Sequence, residues 1–359
     1  MTKFLLIVAI VGLSFLFPTN LRSQATYQND LKQAATSFIN TLEPMQRKAA
    51  LLAFNDTARI KWNNLPVGLR ARAGISIGNM NEMQRKLLHR ILSVALSSQG
   101  YLKATGIMHL DNLLNNYYDS VYSKKLINDT VYNFTKSLQW THRNFYLAFF
   151  GQPTDSLWGF KIEGHHLSIN FSFVNQQLSV TPFFIGTDPA EYPIGEYAGW
   201  RVLGQEEDLG IELAHLLSAG QQKKAIISMA VPGDIITGAE SGKRLIDNQG
   251  ITAAEMTSQQ KSLLQYIIRE FVFNMEYQKA VVEYDKIIKA GIDKIYFAWI
   301  GPMEESKPHY YVLNGPGFLI EFDNSGFGGN GNHIHAIWRE KGNEYGEDLL
   351  KQHYQNEKH

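Results

Sequence analysis

The chain has 359 residues, 44% of them apolar in type and 19% charged, the composition of a packed globular protein rather than a disordered one. Lys plus Arg and Asp plus Glu number 34 each, so charge gives no reason to expect a nucleic-acid partner or a basic membrane-binding surface. Cysteine is absent, which excludes disulfides, a lipidated cysteine and thiolate metal ligands.

At the N-terminus, Lys3 precedes the apolar run Phe4–Phe17, too short to span a bilayer comfortably. Pro18 ends the run, and Ser23-Gln24-Ala25 has the small-x-small pattern of a cleavage site. Residues 1–25 therefore read as a secretory signal peptide, and residues 26–359 as one compact domain that is periplasmic or secreted, with no membrane span after cleavage.

Next comes a helical stretch, NDLKQAATSFINTL, then Pro44 at a first-turn position, then EMQRKLLHRILSVALSSQ with apolar residues at 3–4 spacing and Gly100 as a stop. The segments NFYLAFFG and LWGFKIEGHHLSINFSF are aromatic, β-branched and punctuated by glycine, as strands are. GQEEDLG, at 204–210, has the acidic start of a helix and lacks calcium-loop spacing. SQQKSLLQYIIREFVFNM is again helical, KIYFAWIG and HYYVLNGPGFLIEFDNS are strands, and the loop FDNSGFGGNGNH feeds a last strand.

The order helices-then-strands thus occurs twice. GISIGNMNEMQRKLL resembles GITAAEMTSQQKSLL with Gly74 and Gly250 176 residues apart, and Gln46 matches Gln222 at the same offset. FYLAFFGQP resembles IYFAWIGPM, and Gly164 falls on Gly315. The fold expected is α+β, two diverged pseudo-repeats over about 40–185 and 216–340 forming one body.

WxFxxxGHHLSxN, PFFIGTDP, HYYxxxGPxFLIEFDN and NHIHAIWR together resemble the exported bacterial family catalogued as domain of unknown function 3500, over about residues 30–355. The resemblance implies that GHHL and HIH belong to one recurring pattern; it implies no substrate and no catalytic assignment.

Alternation along a strand puts His333 and His335 on one face, a geometry in which two imidazoles can converge on one ion. By the same rule Glu163 shares a face with His165 and opposes His166. In the repeat alignment the histidines of the last strand fall near Thr181 and Phe183, while His165 and His166 fall on Pro316 and Gly317. That complementarity suits one site between the repeats, with His165, His166, His333 and His335 as candidate ligands of a divalent transition metal, zinc favoured and copper, iron or manganese also compatible. A metal-free polar ligand site and purely structural histidines are the alternatives. Glu163 is a candidate base or a salt-bridge partner, and Arg339 a candidate anchor for a substrate anion or a partner of Glu321 or Asp323. No phosphate-binding glycine loop with lysine, no dinucleotide fingerprint after a first strand and no HExxH is present. The functional expectation is an exported metal-dependent hydrolase or oxidoreductase acting on a small molecule; the alternative is a non-catalytic metal- or small-ligand-binding protein.

Overall fold

A computed structural model describes residues 24–239, 247–326 and 329–356. The expected leader lies, apart from its last two residues, outside them. No helix among the described residues is long and apolar enough to cross a membrane.

Among the described residues, twelve strands make one sheet. They are β1 (Leu51–Leu52), β2 (Ile75–Ser76), β3 (Tyr146–Phe150), β4 (Leu157–Gly164), β5 (Leu167–Val174) and β6 (Gln177–Thr187), then β7 (Ile226–Ser228), β8 (Ile251–Thr252), β9 (Tyr296–Ile300), β10 (Tyr310–Asn314), β11 (Phe318–Asp323) and β12 (Ile334–Glu340). Their order is β1-β3-β4-β5-β6-β12-β11-β10-β9-β7, with β2 added on β3 and β8 on β9. Read outward from the antiparallel β6–β12 ladder, the two arms carry the same sequence of strands, and the class is α+β.

Local chemistry also recurs in both arms. Asn81 caps helix Glu82–Ala95 and Gln84 closes its capping box; Thr257 and Gln260 do the same for Ser258–Val272. Gln84 and Gln46 exchange amide hydrogen bonds, as do Gln260 and Gln221. The counterpart of Gln46 is therefore Gln221, one residue short of the Gln222 that the sequence alignment selects. Gly74 and Gly250 both have positive φ, 110° and 89°, and a Cβ on either would lie within 2.5 Å of the Leu147 or 2.1 Å of the Phe297 carbonyl oxygen.

The two sheet faces differ. Helices cover one, where Leu88, Ile91, Leu264 and Ile268 share a cluster with Leu147, Ile162, Ile320 and Trp338. The opposite face is covered by irregular segments and holds buried polar residues, among them Lys161, Glu163, Glu321, Asp323, His335 and Arg339. Strands closed on both faces lose the plain apolar–polar contrast of a half-exposed sheet.

Gly74→Ala and Gly250→Ala should each destabilise the protein by about 1–3 kcal/mol, because each adds a Cβ at positive φ against a carbonyl. Urea unfolding of the two variants checks this, and a neutral effect at either position would contradict the close approach.

Candidate functional site

Four histidines meet at one end of the central strands. His165 and His166 are not strand residues: they form the two-residue turn between β4 and β5, where Gly164 pairs with Leu167. His166 takes φ +60°, and its N–H donates to the Asn64 carbonyl at 3.1 Å while its own carbonyl accepts from Gly186 N–H at 2.8 Å. The turn cancels the opposed facing that alternation predicts: both rings are buried and lie 3.8 Å apart between centroids.

His335 sits on β12 opposite Gly186 of β6, and His333 immediately precedes that strand. A Cβ at residue 186 would come within 3.1 Å of the Cδ2 atoms of both His166 and His335. Gly186 therefore makes room for the two rings to face each other across β6. Sequence reasoning passed over it, although a glycine inside a strand is a signal of close approach.

His166 Nε2 and His333 Nε2 are 2.7 Å apart, a hydrogen bond in which one ring donates and the other accepts. His335 holds Asp234 Oδ1 through Nδ1 at 2.7 Å, and its buried Nε2 has no hydrogen-bond partner. His166, His333 and His335 each offer a nitrogen, and all three nitrogens lie within 4.8 Å of one another. These buried groups could hold a metal ion. Asp234, Asp323 and His335 form a second set within the same limit. His165 is outside both; its Nδ1 contacts Asp111 Oδ1 at 2.7 Å.

Burial pushes His166 and His333 well below the ordinary imidazole range, and the neighbouring histidines push the same way. Burial lowers His335 too, but the hydrogen bond and charge of Asp234 outweigh it, so the net shift is upward. Asp188 Oδ2 lies 3.7 Å from His333 Nδ1, and desolvation raises its carboxyl to about 6. Asn332 secures this contact by accepting the N–H groups of Ala190 and Glu191, each at 2.9 Å.

The histidines, Asp188 and Asp234 line a cavity of about 520 Å³, within the range of small-molecule sites. Asp188 and Asp234 were not singled out in the sequence: Asp188 lies in the PFFIGTDP motif, whose aspartate was given no role, and Asp234 is a loop aspartate with no periodic signal.

Glu163 and Arg339 do not line the cavity. Glu163 is buried between Arg72 and Lys161, each 2.7 Å from one of its oxygens. Arg339 is ion-paired with Glu344 and donates from Nε to Thr237 Oγ1 at 2.9 Å. The roles of base and anion anchor written for them from the sequence are not offered by this geometry, because their polar atoms are engaged elsewhere. Arg339 acts at one remove. Together with Glu321, which accepts Ile236 N–H at 2.7 Å, it clamps the segment that brings Asp234 to His335. The register also corrects the repeat alignment: His335 pairs with Asp323 as Ser179 pairs with Ser172, so Ser179 and not Thr181 or Phe183 occupies the matching place.

In metal-free protein at pH 6, nitrogen-detected histidine NMR should find His335 protonated and His166 and His333 neutral, as the directions of their shifts require. Protonation of His166 before His335 on acidification would contradict this arrangement.

No curated protein and no solved structure matches the chain significantly. Residues 24–347 match the family described as "Protein of unknown function (DUF3500)". With nine-tenths of its length so covered, the chain belongs to that family.

Proposed function

We propose that the protein is an exported metal-dependent hydrolase whose zinc ion is held by His166, His333 and His335. The observation that carries this reading is the convergence of three buried imidazole nitrogens within 4.8 Å at the wall of a cavity. Three nitrogen ligands with one position left open would be the pattern of catalytic rather than structural zinc. Tetrahedral ligation at zinc–nitrogen distances of about 2.0–2.1 Å needs nitrogens about 3.3 Å apart. The His166–His333 contact of 2.7 Å must therefore open slightly, which replaces their shared proton by the ion. Asp234 on His335 Nδ1 is the carboxylate that orients a ligand imidazole.

A zinc ion there would polarise a substrate carbonyl and acidify water. Asp188 supplies the proton acceptor. Water adds to the carbonyl carbon, its proton passes to Asp188, and that proton then goes to the departing oxygen or nitrogen as the bond to it breaks. The position of Asp188, 3.7 Å from His333 Nδ1 at the wall of the cavity, suits a carboxylate for both transfers. The two arms of the sheet, read as diverged copies of one unit, would each contribute to the site: the β4–β5 turn from the first and β12 from the second.

A second reading is a non-catalytic metal-binding protein. It is favoured by the proximity of Asp234 and Asp323 to His335, since a carboxylate moving onto the ion would close the fourth position.

Protein purified without a polyhistidine tag should carry about one equivalent of zinc by elemental analysis. His333→Ala and His335→Ala should each abolish it or weaken it severely while leaving the fold intact, and Asp234→Asn should cost about 10–100-fold in affinity. A double His333→Ala, His335→Ala variant that retains full metal content would overturn the site. Asp188→Asn should keep the metal and lose hydrolysis in the catalytic reading; unchanged metal binding with no turnover of any ester or amide by the parent protein would favour the second reading. N-terminal sequencing of protein from the cell envelope should begin near Thr26; a retained Met1 there would contradict cleavage of a leader.

A further inference from the structure

The cavity has a second half that the metal reading does not use. Behind the histidines its wall is apolar and aromatic, formed by Leu114, Tyr117, Tyr118, Phe134, Leu138 and Trp140. Tyr118 stacks on Trp140 with centroids 5.2 Å apart, Trp140 stacks on His165 at 6.2 Å, and His165 lies against His166. One helix, Ser98–Ser123, joins the two halves. Asp111, which holds His165, and Leu114 and Tyr118, which line the wall, follow at i, i+3 and i+7 along one helical face. The apolar surface continues outward: Leu65, Leu69 and Val131 also line the cavity, and they are exposed. Large exposed apolar side chains at a cavity mouth mark a binding surface rather than chance when they adjoin an apolar interior.

Charge narrows the ligand further. Among the described residues the lining includes neither lysine nor arginine, while Asp188 and Asp234 place two carboxyl groups beside the histidines. Away from the metal itself, the added charge of a phosphate ester or a dicarboxylate would meet no lysine or arginine along the lining and two acids. A neutral molecule meets no such penalty, and its apolar body would displace water from the aromatic wall.

Resting on the metal reading above, we infer that the substrate is a neutral molecule with an aryl or comparable apolar body, bound against Trp140 and Tyr118, that presents an ester or amide carbonyl to the three histidines. The body would lie along the stack that ends at His165, and Phe134 would form part of the entrance.

Three hydroxamic acids with one zinc-binding head and different tails test this: acetohydroxamic acid, benzohydroxamic acid and N-hydroxysuccinamic acid, whose tail is a carboxylate. Zinc content is measured first, and dissociation constants follow by calorimetry on the zinc-loaded full chain. Benzohydroxamic acid should bind at least about tenfold more tightly than acetohydroxamic acid, and the carboxylate tail should give no gain. Phe134→Ser and Trp140→Leu should shrink that ratio by weakening benzohydroxamic acid while leaving acetohydroxamic acid unchanged. Phe134 is 52% exposed, so its variant keeps the test valid if the Trp140 variant fails to fold. Equal affinities for the first two acids, tightest binding of the carboxylate tail, or a ratio indifferent to Phe134→Ser would overturn the apolar-body inference and leave the metal site standing. A protein that takes up no zinc would overturn the metal reading, and this inference with it.

Discussion

The β6–β12 ladder is the constraint on which the rest of the molecule depends. Among the described residues it is where the strands of the two arms pair with each other, and its register sets His335 against Gly186. From Gly186 one step across β6 reaches the β4–β5 turn, because Gly186 N–H donates to the His166 carbonyl. Slip the ladder by one residue and His335 would leave the buried polar face for the helix-covered face, while a side chain would replace the gap at residue 186. The cluster is therefore a product of pairing between segments more than 140 residues apart in the chain, and local preferences of either segment cannot create it.

A second constraint is desolvation. The polar face of the sheet is closed by irregular segments, so the charges on it must be satisfied within the protein. Glu163 answers Arg72 and Lys161, Glu321 accepts from Ile236, Thr237 and Tyr310, and Arg339 meets Glu344 and Thr237. These groups work as anchors for the covering segments. The histidine cluster on the same face is different: one imidazole nitrogen is left unpartnered, and Asp188 and Asp323 are both pushed up to about 6 by burial. An ion bound among the histidines would relieve both conditions at once, by giving the nitrogen a partner and the nearby carboxyl groups a positive charge.

The cavity inherits its two-sided character from its walls. One side is the β4–β5 turn, His335 of β12 and the loops that carry Asp188, Asp234 and His333, which supply the polar residues; the other is largely the helix Ser98–Ser123 and the segment after it, which supply the aromatic ones. Trp140 and His165 touch where the two sides meet. That junction is why a ligand held here would contact metal-ligating and apolar groups together.

The sequence by itself determined the elements and the residue types. Helical spacing and aromatic strands made the α+β class readable, and the pairing of GHHL with HIH pointed to one shared cluster. Tertiary structure alone decided which histidines face one another. His165 and His166 could not be sorted by alternation, because a two-residue turn breaks the strand period at that point. Glu163 and Arg339 have the chemistry of site residues, and only the position of Arg72, Glu344 and Thr237 shows them to be anchors. Asp111, Asp188 and Asp234 come from separate helices and loops, and Gly186 matters for what it leaves empty. Each of these depends on which distant segments are brought within a few ångströms, a property of strand order and register, whereas periodicity and capping act over a single turn or strand and so can be read directly from the chain.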